Sequence, residues 1–164
     1  MTESLYLPDL LGGLNLEASG RGLSAIRFDG TRGAGTRWAD QAGPIVNAAA
    51  RQLREYFAGE RFGFDVPLDV GGTPFQIEVW LALTRIPYAE TSSYRDIAIA
   101  VNRPKGFQAI GQANTRNPVP IIVPCHRVIN ADGSMGGYGG GADRKFQLLE
   151  LERIHAHRFR ETAA

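Results

Sequence analysis

Over the first third of the chain, apolar residues cluster in short runs cut by Gly, Pro and Asp. Ser4 to Leu7, Gly13 to Ala18 and Gly22 to Phe28 read as three strands of a hairpin or meander. Gly30 to Gly35 is a polar, glycine-rich turn. From Pro44 to Ala58 the period changes: Ile45, Ala49, Leu53 and Phe57 recur on one stripe, which predicts a helix opened by Pro44 and stopped by Gly59. Phe62 to Val70 alternates like a further strand, and Gly71-Gly72 is the natural linker.

Beyond the linker the pattern turns helical. Phe75, Val79, Leu83 and Ile86 form a stripe ending before Pro87, and Thr73 with Gln76 makes a capping box ahead of it. Ser93 caps a second helix, Tyr94 to Val101, with Ile97, Ala98 and Val101 facing inward. After the Arg103-Pro104 break, a third helix spans Lys105 to Asn114. It is rich in small residues (Gly106, Ala109, Gly111, Ala113), and Phe107 and Ile110 are expected to hold its rear to the core. Two short helices across a tight break suit a helix-turn-helix, although close helix packing explains the same glycines. Asn117-Pro118-Val119-Pro120 forces an extended or turned segment, and Ile121 to Val123 reads as a buried strand. Val128-Ile129 before Asn130-Ala131-Asp132-Gly133 carries a hairpin signature. Gly136 to Gly141 holds five glycines around Tyr138. Arg144 to Arg153 is a final helix, with Phe146, Leu149 and Ile154, or Leu148 and Leu151, inward; from His155 onward the tail reads as polar and frayed.

Composition adds bounds. The length of 164 residues suits one domain or two small ones, and 43% hydrophobic with 21% charged residues is ordinary for a globular chain. No apolar run reaches the roughly 20 residues of a membrane helix. Met1 to Leu16 carries Glu3 and Asp9 without a basic start, unlike a secretory signal; with one cysteine, this favours a cytoplasmic location. The net charge of +1 hides an asymmetry: residues 1–72 sum to −2 and residues 73–164 to +3. From Arg95 to Arg127 five cations (Arg95, Arg103, Lys105, Arg116, Arg127) face one acid, Asp96, a surplus compatible with a phosphate backbone or with an ordinary solvated face.

The candidate chemistry lies in Pro124-Cys125-His126-Arg127-Val128, which holds the only cysteine. One thiol can neither close an intramolecular disulfide nor build a multi-cysteine metal site, so it is a nucleophile or an inert core residue. A working thiol needs a proton acceptor or a positive environment. His126 is adjacent; a direct bond to it requires a turn or helical start at this point, and a bridging water is the other route. Glu152 is a candidate to orient the imidazole.

Asn117 to Pro120, Pro124 to Val128, Gly137-Tyr138-Gly139-Gly140-Gly141 and Arg144-Lys145 together resemble the O6-alkylguanine-DNA alkyltransferase family, over essentially residues 73–153. The resemblance implies an α+β fold: a small N-terminal ribonuclease-H-like sheet-and-helix support domain over 1–72, and a winged helix-turn-helix-like domain over 73–164 that binds DNA and accepts the alkyl group. It implies that Cys125 takes the alkyl group from O6 of a flipped-out guanine, once per molecule, as a stable thioether. His126 then accepts the thiol proton through a water, Glu152 orients His126, and Asn117 braces the turn. In the base pocket, Tyr94 donates to the guanine ring, the carbonyls of Cys125 and Val128 read the exocyclic amine, and Met135, Tyr138 and Gly139 form a wall. The implied partner is duplex DNA carrying O6-alkylguanine, gripped in the minor groove with little sequence preference through Gln108, Ala109, Gly111, Lys105, Arg103 and Arg116. A monomer is expected, with cooperative assembly along DNA left open. No cofactor and no metal are expected, since the zinc site of some relatives has no cysteine ligands in residues 1–72.

One departure stands out. Where the family usually places an arginine that fills the space of the flipped base, this chain has Gln108. A low-activity lesion-binding protein that recruits other repair factors is therefore the alternative, opposed by the presence of Cys125. A cysteine hydrolase built on Cys125, His126 and Glu152 lacks an evident oxyanion hole. His155 and His157 read as surface residues and would make a poor metal site alone.

Overall fold

A computed structural model describes residues 3–7, 11–28 and 43–163, so the predicted Gly30–Gly35 turn lies outside the described residues. The chain divides into two compact units, Met1–Gly71 and Gly72–Ala164.

The first unit is an antiparallel meander of β1 (Glu3–Leu7), β2 (Leu14–Ala18) and β3 (Leu23–Arg27) with β2 central, covered by helix α1 (Pro44–Phe57). Register pairs Leu5 with Leu16, Leu7 with Leu14, and Leu16 with Ile26, so these side chains share one buried face. The buried stripe of α1 is Val46, Ala49, Ala50, Leu53 and Tyr56, replacing the predicted Ile45 and Phe57 edges. Spacing of strictly four residues drifts around a 3.6-residue helix, and the true stripe mixes steps of three and four. The α1 N-terminus has no cap from its own N-cap, Gly43. Glu3 supplies one instead, its Oε2 accepting from the Ile45 and Val46 N–H groups at 2.9 and 3.0 Å. A Cβ at Gly43 would fall 2.0 Å from the Glu3 side chain. The predicted Phe62–Val70 strand does not form. Only a parallel bridge of Leu23 with Leu68 is made, and Pro67 offers a carbonyl but no N–H to a longer ladder.

The second unit packs α2 (Pro74–Leu83), α3 (Tyr94–Ala100) and α4 (Phe107–Thr115) around a small core. The predicted capping box of Thr73 with Gln76 is present, and the predicted cap Ser93 forms a second box with Asp96. Asn102 ends α3 at φ +57°, a left-handed position asparagine tolerates. Ile110, Ala113 and Asn114 bury the rear of α4, and Trp80 of α2 donates its indole N–H to the Ala113 carbonyl at 2.9 Å. Phe107, expected inward, is instead 47% exposed.

Ile121 to Val123 is a turn, not a strand; Ile121 sits at φ +75° and the Val123 N–H returns to the Val119 carbonyl. Prolines at 118, 120 and 124, on either side of the run, remove donors a ladder needs. Beyond it come a 3₁₀ turn (Cys125–Arg127), β5 (Val128–Ile129) and α5 (Ala142–Ala163). β5 pairs in parallel with β4 (Ser92–Ser93), so residues 130–134 form a turn and not the hairpin the sequence suggested. α5 runs through His155 and His157, contrary to the frayed tail expected. It buries Lys145, Leu148 and Glu152, while Phe146 and Ile154 are exposed. No helix among the described residues is long and apolar enough to cross a membrane.

Because Leu148 is fully buried between Lys145 and Glu152 on α5, Leu148→Ala is expected to destabilise the protein by about 2–5 kcal/mol, read as a lowered urea midpoint by far-UV circular dichroism.

Candidate active site

Residues far apart in sequence converge on the 3₁₀ turn. Its curvature supplies the turned geometry that a Cys–His partnership requires, and it buries Cys125, His126 and Arg127 together. Asn117 shapes the approach: its amide donates to the Val123 carbonyl at 2.7 Å and its Oδ1 accepts from the Val119 N–H at 3.0 Å. Asn114, which sequence reasoning missed, donates to the Cys125 carbonyl at 3.2 Å.

Glu152 anchors the turn from α5. One oxygen lies 2.6 Å from His126 Nε2, and both accept from Arg127, at 2.9 Å from Nε and 3.0 Å from an Nη. The Ala89 N–H donates at 3.1 Å and the Arg127 guanidinium also donates to the Ile86 carbonyl at 2.7 Å. Burial works against the carboxylate, but the His126 and Arg127 contacts outweigh it and hold Glu152 well below the usual carboxylate range. His126 is fully buried, and desolvation lowers its pKa against the pull of Glu152. We read the pair as ionised Glu152 beside neutral His126, since Arg127 already balances the carboxylate charge. With Nε2–H given to Glu152, Nδ1 is left as an acceptor, and it has no protein partner among the described residues. Arg127, counted above among candidate phosphate contacts, is thus committed to the interior.

Cys125 is 3% exposed. Burial pushes its thiol up to about 11, while hydrogen bonds from Asn117 and Tyr138 and the charge of Lys145 pull the other way. Lys145 is the second residue that sequence reasoning left without a role. Its Nζ donates to the Val128 carbonyl at 2.6 Å and the Gly137 carbonyl at 3.1 Å, and sits 5.8 Å from the Tyr94 ring centroid. Burial lowers it to about 8, and Cys125 opposes that shift. Tyr94 donates its hydroxyl to the Gly137 carbonyl at 3.3 Å, and burial raises its phenol, keeping it a donor.

The glycine segment closes over this cluster. Gly136 and Gly141 have φ of +72° and +94°, and a Cβ at Gly136 would meet the Tyr94 ring at 3.0 Å. An open hollow of about 480 Å³ lies outside it, lined by Tyr94, Arg95, Phe107, Gln108, Asn130, Ala131 and Gly137. The structure therefore brings Cys125, His126, Glu152, Asn117, Tyr94, Val128 and Tyr138 together on the buried side. It leaves Gln108 and Ala109 exposed on α4, with Gly111 half-buried; Arg103, Lys105 and Arg116 are exposed around it. Met135 is half-buried and Gly139 exposed, and neither lines the hollow. The Cys125 carbonyl accepts from Asn114 and from the Val128 N–H, and the Val128 carbonyl accepts from Lys145. An amine read there must share or displace those donors. Among the described residues no cluster of three or more His, Cys, Asp or Glu could hold a metal. A thiol, a neutral imidazole with a bare nitrogen and a phenol donor suit nucleophilic displacement with proton management on both sides.

Comparison with known proteins agrees in class. Residues 74–154 match the family described as "6-O-methylguanine DNA methyltransferase, DNA binding domain", and residues 3–70 match its ribonuclease-like domain. The chain belongs to the 6-O-methylguanine DNA methyltransferase family. It is 47% identical over 151 residues to the methylated-DNA–protein-cysteine methyltransferase of Mycobacterium tuberculosis, covering 89% of each chain. It is 55% identical over 112 residues to the constitutive enzyme of that name from Bacillus subtilis, covering 68% of each. Its fold matches the crystal structure of M. tuberculosis OGT in complex with DNA at TM-score 0.82, with 44% identity and 93% of each chain covered. The O6-methylguanine-DNA methyltransferase of the archaeon Pyrococcus kodakaraensis matches at TM-score 0.54 and 26% identity, covering 93% of this chain and 99% of that one.

Glu152 has a lowered folded pKa against an ordinary 4.5, so its contribution to stability is present above about pH 4.5 and is lost as pH falls below it. Glu152→Gln is expected to lower stability at pH 7 and to flatten the acid limb, measured as thermal midpoints between pH 3 and 7.

Proposed function

We propose that this chain repairs DNA by moving the alkyl group from O6 of guanine in duplex DNA to Cys125, one group per molecule. The observation that carries this reading is the buried Glu152–His126 pair beside the chain's one thiol, with His126 Nδ1 left as acceptor. A thiol pushed up to about 11 is protonated at neutral pH and needs a base. His126 takes that proton through a water, with Glu152 and Arg127 as positioning residues. The sulfur attacks the alkyl carbon in line, an S–C bond forms, the O6–C bond breaks, and its electron pair passes to the guanine. Tyr94 donates to the base as that charge develops. The thioether does not turn over.

In-line approach requires the nucleotide to leave the stack, at a cost of a few kcal/mol. It also requires the Gly136–Gly141 segment to move aside, because Tyr94 and Lys145 now donate to Gly137 and Cys125 is covered. Residues 73–164 bind DNA and accept the group, and residues 1–72 support them. α4 enters the minor groove through Gln108, Ala109 and Gly111, and Arg103, Lys105 and Arg116 meet phosphates, giving salt-dependent binding with little sequence preference. The protein acts as a monomer in the cytoplasm.

A duplex bearing one radiolabelled O6-methylguanine tests the reading: label is expected on protein, one per molecule, and absent in Cys125→Ser. Label released to solution with turnover, or retained on DNA despite binding, overturns it. Gln108→Arg adds a cation on the exposed face of α4 and is expected to raise the single-turnover rate on duplex DNA about tenfold at low salt. An unchanged rate would show that Gln108 is no handicap.

A further inference from the structure

Phe107 faces solvent where the sequence pattern places it in the core. Its ring is 47% exposed, while the same helix is fixed from behind by Ile110, Ala113 and Asn114, each 2% exposed or less. Isolated exposed apolar side chains are ordinary on convex surfaces. This one lies in a concavity, the 480 Å³ hollow it shares with Tyr94 and Gln108. Among the described residues Arg95 is the one charged side chain lining that hollow, and no carboxylate lines it. Two aromatic rings, two amides and a cation suit a nucleobase and its phosphate far better than water alone. Gly111, four residues on along the same side of α4, places no side chain next to the ring. Gln108 beside it offers hydrogen bonds but too little apolar surface to replace a stacked base.

Resting on the DNA-repair reading above, we propose that Phe107 is the wedge that holds the duplex open: its ring enters the gap left by the extruded nucleotide and stacks on the neighbouring base pair, while Gln108 meets the orphaned base. Apolar side chains inserted between base steps are an established way to sustain a distorted duplex. Stacking of one base on an aromatic side chain is worth a 5- to 150-fold effect, roughly.

The test compares transfer from O6-methylguanine in a duplex with transfer from the same strand left single, which has no gap to fill. Phe107→Ala is expected to lower the duplex-to-single-strand rate ratio by about 5- to 150-fold, and Phe107→Trp to preserve it. In parallel, 2-aminopurine placed beside the lesion reports stacking directly: it stays quenched with the natural protein and brightens with Phe107→Ala at saturating protein. An unchanged ratio, an equal loss on both substrates, or equal fluorescence for the two proteins overturns the proposal. The fluorescence arm needs no alkyl transfer, so a natural protein that labels on neither substrate refutes the acceptor chemistry while the wedge is still decided.

Discussion

A carboxylate buried at the centre of the C-terminal unit sets the conditions for everything around it. Glu152 would be costly there alone, and an uncompensated buried charge destabilises by several kcal/mol. Arg127 makes it tolerable by binding both oxygens, and the Ala89 N–H completes the shell. Three separate stretches of chain are thereby tied to one point on α5: the segment after α2, the cysteine turn and the helix itself. Because Arg127 answers the charge, His126 need not, and we read it as a neutral imidazole whose second nitrogen has no protein partner among the described residues. On the proposed function, the contacts that make the buried carboxylate tolerable are also the ones that prepare the base.

The electrostatics around Cys125 follow from that arrangement. Desolvation disfavours the thiolate, so the buried sulfur is held as a thiol at neutral pH. Lys145, Asn117 and Tyr138 are placed to favour charge on sulfur once a base has taken its proton. On the proposed one-use chemistry this restraint is an advantage, since adventitious alkylation or oxidation would waste the whole molecule.

Much of this was legible in residue order, and the failures have physical causes. The meander, the Thr73–Gln76 capping box, the Ser93 cap and the inward faces of Ile97, Ala98 and Val101 depend on local chemistry and short-range periodicity. Asn117, Cys125, His126 and Glu152 could be named from motif resemblance, although their convergence depends on the fold. What escaped was tertiary. Arg127 reads as a surface cation because sequence alone does not reveal a buried partner 25 residues away. Lys145 and Asn114 matter through backbone carbonyls, which leave no trace in a pattern of side chains. Ile121 to Val123 has strand composition, yet prolines on either side remove the donors a ladder needs. Phe107 was assigned by hydrophobicity to the wrong side of its helix, where Ile110, Ala113 and Asn114 already fill the space.

The Gly137 carbonyl accepts from two donors, the Tyr94 phenol and the Lys145 ammonium. Any excursion of that peptide frees the Tyr94 hydroxyl and takes one of two carbonyl acceptors from Lys145, whose Nζ stays on the Val128 carbonyl. Under the proposed chemistry, admitting a base and releasing a phenol donor are therefore one motion, while the ammonium keeps its tether to the strand beside the cysteine turn.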